Sequence, residues 1–260
     1  AESDEELAHM YKENNPRWYK VDSEHCGHMS AIGYYFEKYV SEHLNVTVGI
    51  VDCYWGGTSA LCWIDRNTIL ENEDAKKWYE EYTDCVSTKT SRVEDEESER
   101  FNASLQVWCE QEELLKIKYP GISIFDINEY IGSPCPWPPP VSRKSYQRPA
   151  GLYETMLKCI VPYTIRGVLY YQGEEDWNKS HCYNILNTLV INKWRDAFED
   201  KELPFIITQL PMFIDKGVED DKNWCILREQ QELVARNNDN VGMVCLIDCG
   251  EYDNIHPVDK

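Results

Sequence analysis

Residues 166–172 read "RGVLYYQ", a short apolar run rich in β-formers that ends on a carboxamide and passes straight into Gly173-Glu174-Glu175. Three other runs are of the same kind: "TVGIVDC" at 47–53, "PFIITQL" at 204–210 and "VGMVCLID" at 241–248. Near-continuous apolar runs of this length suit strands buried on both faces, as in a parallel sheet covered by helices. Helical periodicity fills the intervals. Tyr183, Leu186, Val190, Trp194 and Phe198 recur every three to four residues within 179–199, and Trp224, Leu227, Gln231 and Val234 do so within 224–238. Farther upstream, Ser30 is placed to cap a helix running to about Leu44, with Ile32, Phe36, Tyr39 and Val40 on one side. Strands that alternate with helices predict an α/β fold with a doubly wound parallel sheet.

The middle of the chain is of another character. Residues 71–118 are charged and helix-prone, with the acidic run "EDEESE" at 94–99, and read as a solvated helical insertion. Residues 132–149 contain "SPCPWPPP", whose prolines fix φ and remove donors. That predicts a rigid surface loop bordering a substrate cleft. With 260 residues and 42% hydrophobic composition, one domain over 1–260 is the simplest count.

Charge narrows the partners. Forty-six acidic against 26 basic side chains give a net charge of −20, the opposite of a nucleic-acid-binding face and of little attraction to anionic membranes. No run approaches the roughly 18 apolar residues of a membrane span, and the polar, acidic N-terminus does not read as a signal peptide. The 11 cysteines contain no CxxC pair and no metal-ligand spacing. They read as thiols of a reducing cytoplasm; secretion or a lysosomal location after signal removal is the alternative.

Three constellations carry chemistry. Trp55-Gly56-Gly57-Thr58 follows the first apolar run, where glycines let backbone N–H groups approach a ligand. Gln172-Gly173-Glu174 follows the second, where a carboxamide at a strand end is able to donate to an oxyanion. Asp253-Asn254-Ile255-His256 follows the last, where an aspartate can fix the tautomer of a general-base imidazole. All three stand beyond the carboxyl ends of predicted parallel strands, the edge at which such sheets bind ligands.

These blocks resemble one family. "GIVDCYWGGTSALCWI" (49–64) is similar to the glycine block of sialate O-acetylesterases and related acetylxylan esterases. "RPAGLYETMLKCIVPYTIRGVLYYQGEEDW" (148–177) resembles their P-x-x-L-Y-N-x-M-I…I-R-G-V-x-W-Y-Q-G-E-x-N stretch. "INKWRDAF", "LPFIITQLPMF", "WCILREQQ" and the closing "DNIHPVDK" match the later signatures in order. The resemblance implies a three-layer α/β/α SGNH hydrolase fold and a carbohydrate acetyl esterase. His256 would be its general base and Asp253 the orienting partner. Gly56, Gly57 and Gln172 would be oxyanion donors. Glu174, Arg228 and Trp55 would take supporting or substrate contacts, Trp137 would be a further stacking surface, and Trp63 is expected in the core. It implies an acetylated carbohydrate as partner and no cofactor or metal.

The resemblance departs at one place. The family's G-Q-S-N-M turn, which presents the nucleophilic serine on the first strand, has no counterpart here, because "HMSAIGYYF" (28–36) matches the segment that follows it. Ser30 therefore reads as a helix cap and Ser59 as a poor substitute nucleophile. The expectation is a sheet lacking its first strand, with the serine outside these residues or on a partner fragment. A non-catalytic carbohydrate-binding relative is the alternative.

Overall fold

A computed structural model describes residues 18–22, 25–214, 219–252 and 254–256. Helix α1 spans Ala31–Leu44, α2 Arg66–Glu71, α3 Glu73–Ser87, α4 Ser91–Lys118 and α5 Ile124–Ile131. Strand β1 (Val168–Tyr170) is followed by α6 (Tyr183–Ala197), β2 (Phe205–Gln209), α7 (Asn223–Asn237) and β3 (Val241–Cys245).

The helices begin where short polar side chains can take up their first N–H groups. Ser30 accepts from Gly33 N at the start of α1, as its position predicts. Asp65, Asn72, Thr90 and Ser123 do the same for α2, α3, α4 and α5. The α1 and α5 ends close on left-handed residues, Asn45 (φ 51°) and Gly132 (φ 80°).

Among the described residues the sheet has three parallel strands in the order β1-β2-β3. Val168 pairs with Phe205, and Phe205 with Val241. Equal register puts Tyr170, Phe205, Ile207 and Met243 on one face. There Leu186, Val190, Ile191 and Trp194 of α6 and Val234 of α7 pack against them in a single apolar cluster. The α/β class and parallel sheet are as expected, with each strand shorter than its apolar run. On the other face Ile206 is 37% and Val244 49% exposed, so burial on both faces does not extend across β2 and β3.

Two expectations are corrected. Residues 46–55 form no ladder: "TVGIVDC" is apolar enough to be a strand, but no described segment lies beside it to accept its backbone bonds. The acidic run in α4 is not merely a solvated face. Glu94 is 1% exposed and accepts from Arg143 Nη1 at 2.7 Å, while Arg143 Nη2 also reaches the Val86 and Lys89 carbonyls. Asp95 pairs with Lys144 at 2.7 Å, and Glu97 with Lys89 at 2.7 Å. Lys89 in turn donates to Val141 O at 2.8 Å. Charges on α4 thus hold down the start of the 141–149 loop.

Candidate active site

The glycine turn and the end of β1 meet through one buried carboxylate. Asp176, fully buried, accepts from Ser59 Oγ at 2.5 Å, Ala60 N at 2.7 Å and Gln172 Nε2 at 2.6 Å, and pairs with Lys179 Nζ at 3.2 Å. A buried carboxylate is tolerated where cations and donors replace its water, and four such groups do so here. The 3-10 turn Ala60–Trp63 is capped by Ser59, and the 3-10 segment Glu174–Cys182 carries Asp176. The carboxylate therefore joins two short irregular elements across the sheet end.

Gln172 is the second joint. Its Nε2 also donates to Thr58 O at 3.0 Å, and its Oε1 accepts from Tyr183 OH at 2.9 Å. Gln231, 1% exposed, donates to Gln172 O at 3.1 Å and accepts from Leu210 N at 3.0 Å, tying α7 to the ends of β1 and β2. Both amide protons of Gln172 are thereby committed to Thr58 and Asp176. This differs from its expected oxyanion-donor place: in this arrangement the side chain fixes the turn and has no proton to offer a ligand.

The backbone of the turn is different. Among the described residues neither the Gly56 nor the Gly57 N–H donates a hydrogen bond. Gly57 takes φ +65°, and a Cβ there would come within 2.4 Å of Trp137 Cη2, so the indole lies directly on the glycine. Gln147 Nε2 holds Gly57 O at 2.6 Å, and Thr58 Oγ1 donates to Trp55 O at 2.8 Å. Two adjacent N–H groups that donate to no described residue thus sit on a turn pinned from both sides, the kind of backbone arrangement able to receive an anion.

The remaining predicted residues distribute around this core. Trp55 is 48% exposed, with its ring 5.3 Å from that of Tyr146. Trp63 is buried, as expected, donating to Thr58 Oγ1 and packing on Trp194. Glu174 is half-buried beside Tyr171, where its charge adds to burial in raising that phenol. Burial also raises the neighbouring Glu175 carboxyl, against the pull of Lys179 and a hydrogen bond from the Trp137 side chain. Arg228 Nη2 donates to Gln209 Oε1 at 2.9 Å at the end of β2, while its Nη1 is buried with no hydrogen-bond partner among the described residues. Ser59 is buried with its hydroxyl given to Asp176, which disqualifies it as a nucleophile in this conformation.

His256 is exposed on the loop after β3. Its main-chain N–H donates to Asn254 Oδ1 at 3.0 Å, and the loop is tied to the β2 side by Ile214 N donating to Tyr252 O at 2.9 Å. Asp253 lies outside the described residues.

Sequence reasoning missed Asp176, Tyr183 and Gln231 as site residues. Asp176 occupies the place that the Q-G-E-x-N pattern fills with asparagine. Gln231 is an amide on the apolar face of α7, between Leu227 and Val234, and a polar residue there signals a buried partner.

Residues 141–258 match the family described as carbohydrate esterase, sialic acid-specific acetylesterase. The chain is 25% identical over 283 residues to a sialate O-acetylesterase of Mus musculus, covering 100% of this chain and 46% of the relative. It is 23% identical over 267 residues to that of Rattus norvegicus, covering 94% and 43%. It thus spans less than half the length of these relatives. In fold it is similar to a carbohydrate acetylesterase from Xanthomonas citri, with a TM-score of 0.61 at 22% identity over 93% of this chain and 40% of that one.

Proposed function

Because residues 141–258 of this chain match the family described as carbohydrate esterase, sialic acid-specific acetylesterase, we propose that it forms the oxyanion and general-base side of an esterase that removes acetyl groups from sugars. The observation that carries the reading is the pair of N–H groups at Gly56 and Gly57, neither of which donates a hydrogen bond among the described residues.

In this reading a serine hydroxyl from outside these 260 residues attacks the acetyl carbonyl, and His256 takes its proton. The carbonyl oxygen becomes an oxyanion held by the Gly56 and Gly57 N–H groups. Collapse breaks the bond to the sugar oxygen, which leaves with the proton from His256. Water, deprotonated by the same imidazole, then releases acetate and restores the serine. Asp253 orients the ring, and Gln172 with Asp176 holds the turn. Arg228, whose Nη1 has no partner among the described residues, and the exposed Trp55 contact the substrate.

Hydrolysis of 4-nitrophenyl acetate tests the proposal, in this chain and in the protein extended upstream. Turnover confined to the extended protein is the expected result. Turnover in neither overturns it. Sugar binding without turnover in either would then favour the non-catalytic binding relative, which the commitment of Ser59 to Asp176 already suits.

A further inference from the structure

We propose that Cys109 and Cys135 form a dithiol–disulfide pair whose oxidation staples the start of the proline-rich loop to helix α4. The inference does not depend on the esterase reading. All 11 cysteines are thiols in the structure, so the bond is one the chain makes and unmakes with its surroundings.

Two contacts bring the pair together. Helix α5 returns along the end of α4, with the Tyr119 and Tyr130 rings stacked at 5.5 Å. The chain then continues back along α4, where Trp108 Nε1 donates to Ser133 O at 3.2 Å. Cys109 adjoins Trp108, and Cys135 lies just beyond Ser133. Cys109 and Glu112 share one face of the helix by their i, i+3 spacing. Both act on the loop cysteine: burial raises the Cys135 thiol, and the charges of Cys109 and Glu112 raise it further. Cys135 therefore faces the side of α4 that carries Cys109.

Exposure divides the roles. Cys109 is exposed and Cys135 half-buried, so a small disulfide such as that of glutathione meets Cys109 first. The Cys109 thiolate attacks one of its sulfurs, a mixed disulfide forms, and one glutathione thiolate leaves. The Cys135 thiolate then attacks the Cys109 sulfur and displaces the second glutathione. Two protein thiols are oxidised, one glutathione disulfide is reduced to two thiols, and the two cysteine protons pass to the departing thiolates. Cys53 and Cys159 also face each other, but Cys53 is pushed up to about 12, chiefly by burial, which leaves almost no thiolate to react at neutral pH.

The consequence lies in the loop. Helix α4 already grips its far end through Glu94 on Arg143 and Asp95 on Lys144. A disulfide at Cys135 anchors the near end to the same helix. Trp137, which lies on Gly57, stands between the two anchors.

To test the pair, the chain is equilibrated with reduced and oxidised glutathione over a range of ratios, alkylated, and digested with trypsin without reductant. Cys109 and Cys135 are the only cysteines of the tryptic peptides 101–116 and 119–143, so the bond is read as their cross-linked mass, lost on adding dithiothreitol. This cross-link is expected to be the main disulfide in oxidising buffer and to be absent from Cys109→Ser. In the native protein, cleavage after Arg143 should slow several-fold on oxidation, and should not change in Cys109→Ser, whose position is exposed. No such cross-link at any ratio, glutathione adducts or another cysteine pair in its place, or a cross-link that leaves cleavage unchanged would overturn the proposal.

Discussion

The two halves of the candidate site are built in opposite ways. The turn at 56–60 and the end of β1 are locked together by Asp176, Gln172 and Gln231, all buried and all hydrogen-bonded to more than one element. The loop that carries His256 is more exposed, and its ties among the described residues are main-chain and amide bonds: Ile214 N to Tyr252 O and His256 N to Asn254 Oδ1. Oxyanion stabilisation needs dipoles that do not reorient during reaction, so it belongs on the rigid half. A base must reach two oxygens in turn, and a surface loop beside a rigid scaffold serves that role.

The contrast breaks most visibly at His256. In the extended protein, His256→Ala is expected to lower kcat/KM for 4-nitrophenyl acetate by about 10²–10⁴-fold while moving stability by less than about 0.5 kcal/mol, as for ordinary surface changes. A large loss of stability would mean that the loop is as structural as the turn. Asp176→Ala should do the reverse to the fold. It strands the donors of Ser59, Ala60, Gln172 and Lys179 in a dry site, and urea denaturation should show a loss of about 3–5 kcal/mol. Asp176→Asn, which keeps a carbonyl acceptor, should cost less.

Gly57→Ala comes next, at about 1–3 kcal/mol, because alanine is strained at φ +65° and its methyl would meet Trp137. Combining it with Trp137→Ala should recover the steric part and leave the backbone part, read as non-additivity in a double-mutant cycle. The smallest effect is one of pH at the edge of the rigid half. Burial would raise Asp65, but hydrogen bonds from Thr68 and Lys193 outweigh it and hold its carboxyl below 3.8. A group depressed on folding contributes stability above 3.8 that is lost as pH falls through its lower folded value. Stability measured from pH 5 down to pH 2 should therefore fall less steeply in Asp65→Asn.

What was legible in the sequence is what short-range chemistry determines. Ser30 announces α1 because a hydroxyl ahead of an apolar period has one good use. The runs at 168–170, 205–209 and 241–245 were recognisable as strands from their own residues. Residues 47–53 look identical in composition but form no ladder, because a strand also needs a neighbour and composition does not say whether one is present. The same limit hid the exposure of Val244, since an apolar run reads alike at the edge and the centre of a sheet. Gly56 and Gly57 were legible as a glycine turn following an apolar run. The commitment of Gln172 was not, because it depends on Thr58, Asp176 and Tyr183 converging on one carboxamide. Asp176 resembled any acid near a helix start until Ser59 and Ala60 were brought to it.

That convergence has a consequence for how the molecule folds. Ser59 and Asp176 are 117 positions apart, Ala60 and Asp176 116, and Thr58 and Gln172 114. Bonds of such span cannot form until the chain between them has turned back on itself, so the site is expected to assemble late, after the helical hydrogen bonds of segments such as α4, which span only three to four residues. The entropy of closing that long excursion grows only logarithmically. Halving the intervening length would change it by about 0.6 kcal/mol. Loop-closure entropy thus sets little limit on the length of the chain between the two halves of the knot, whereas the knot itself depends on each of its buried partners.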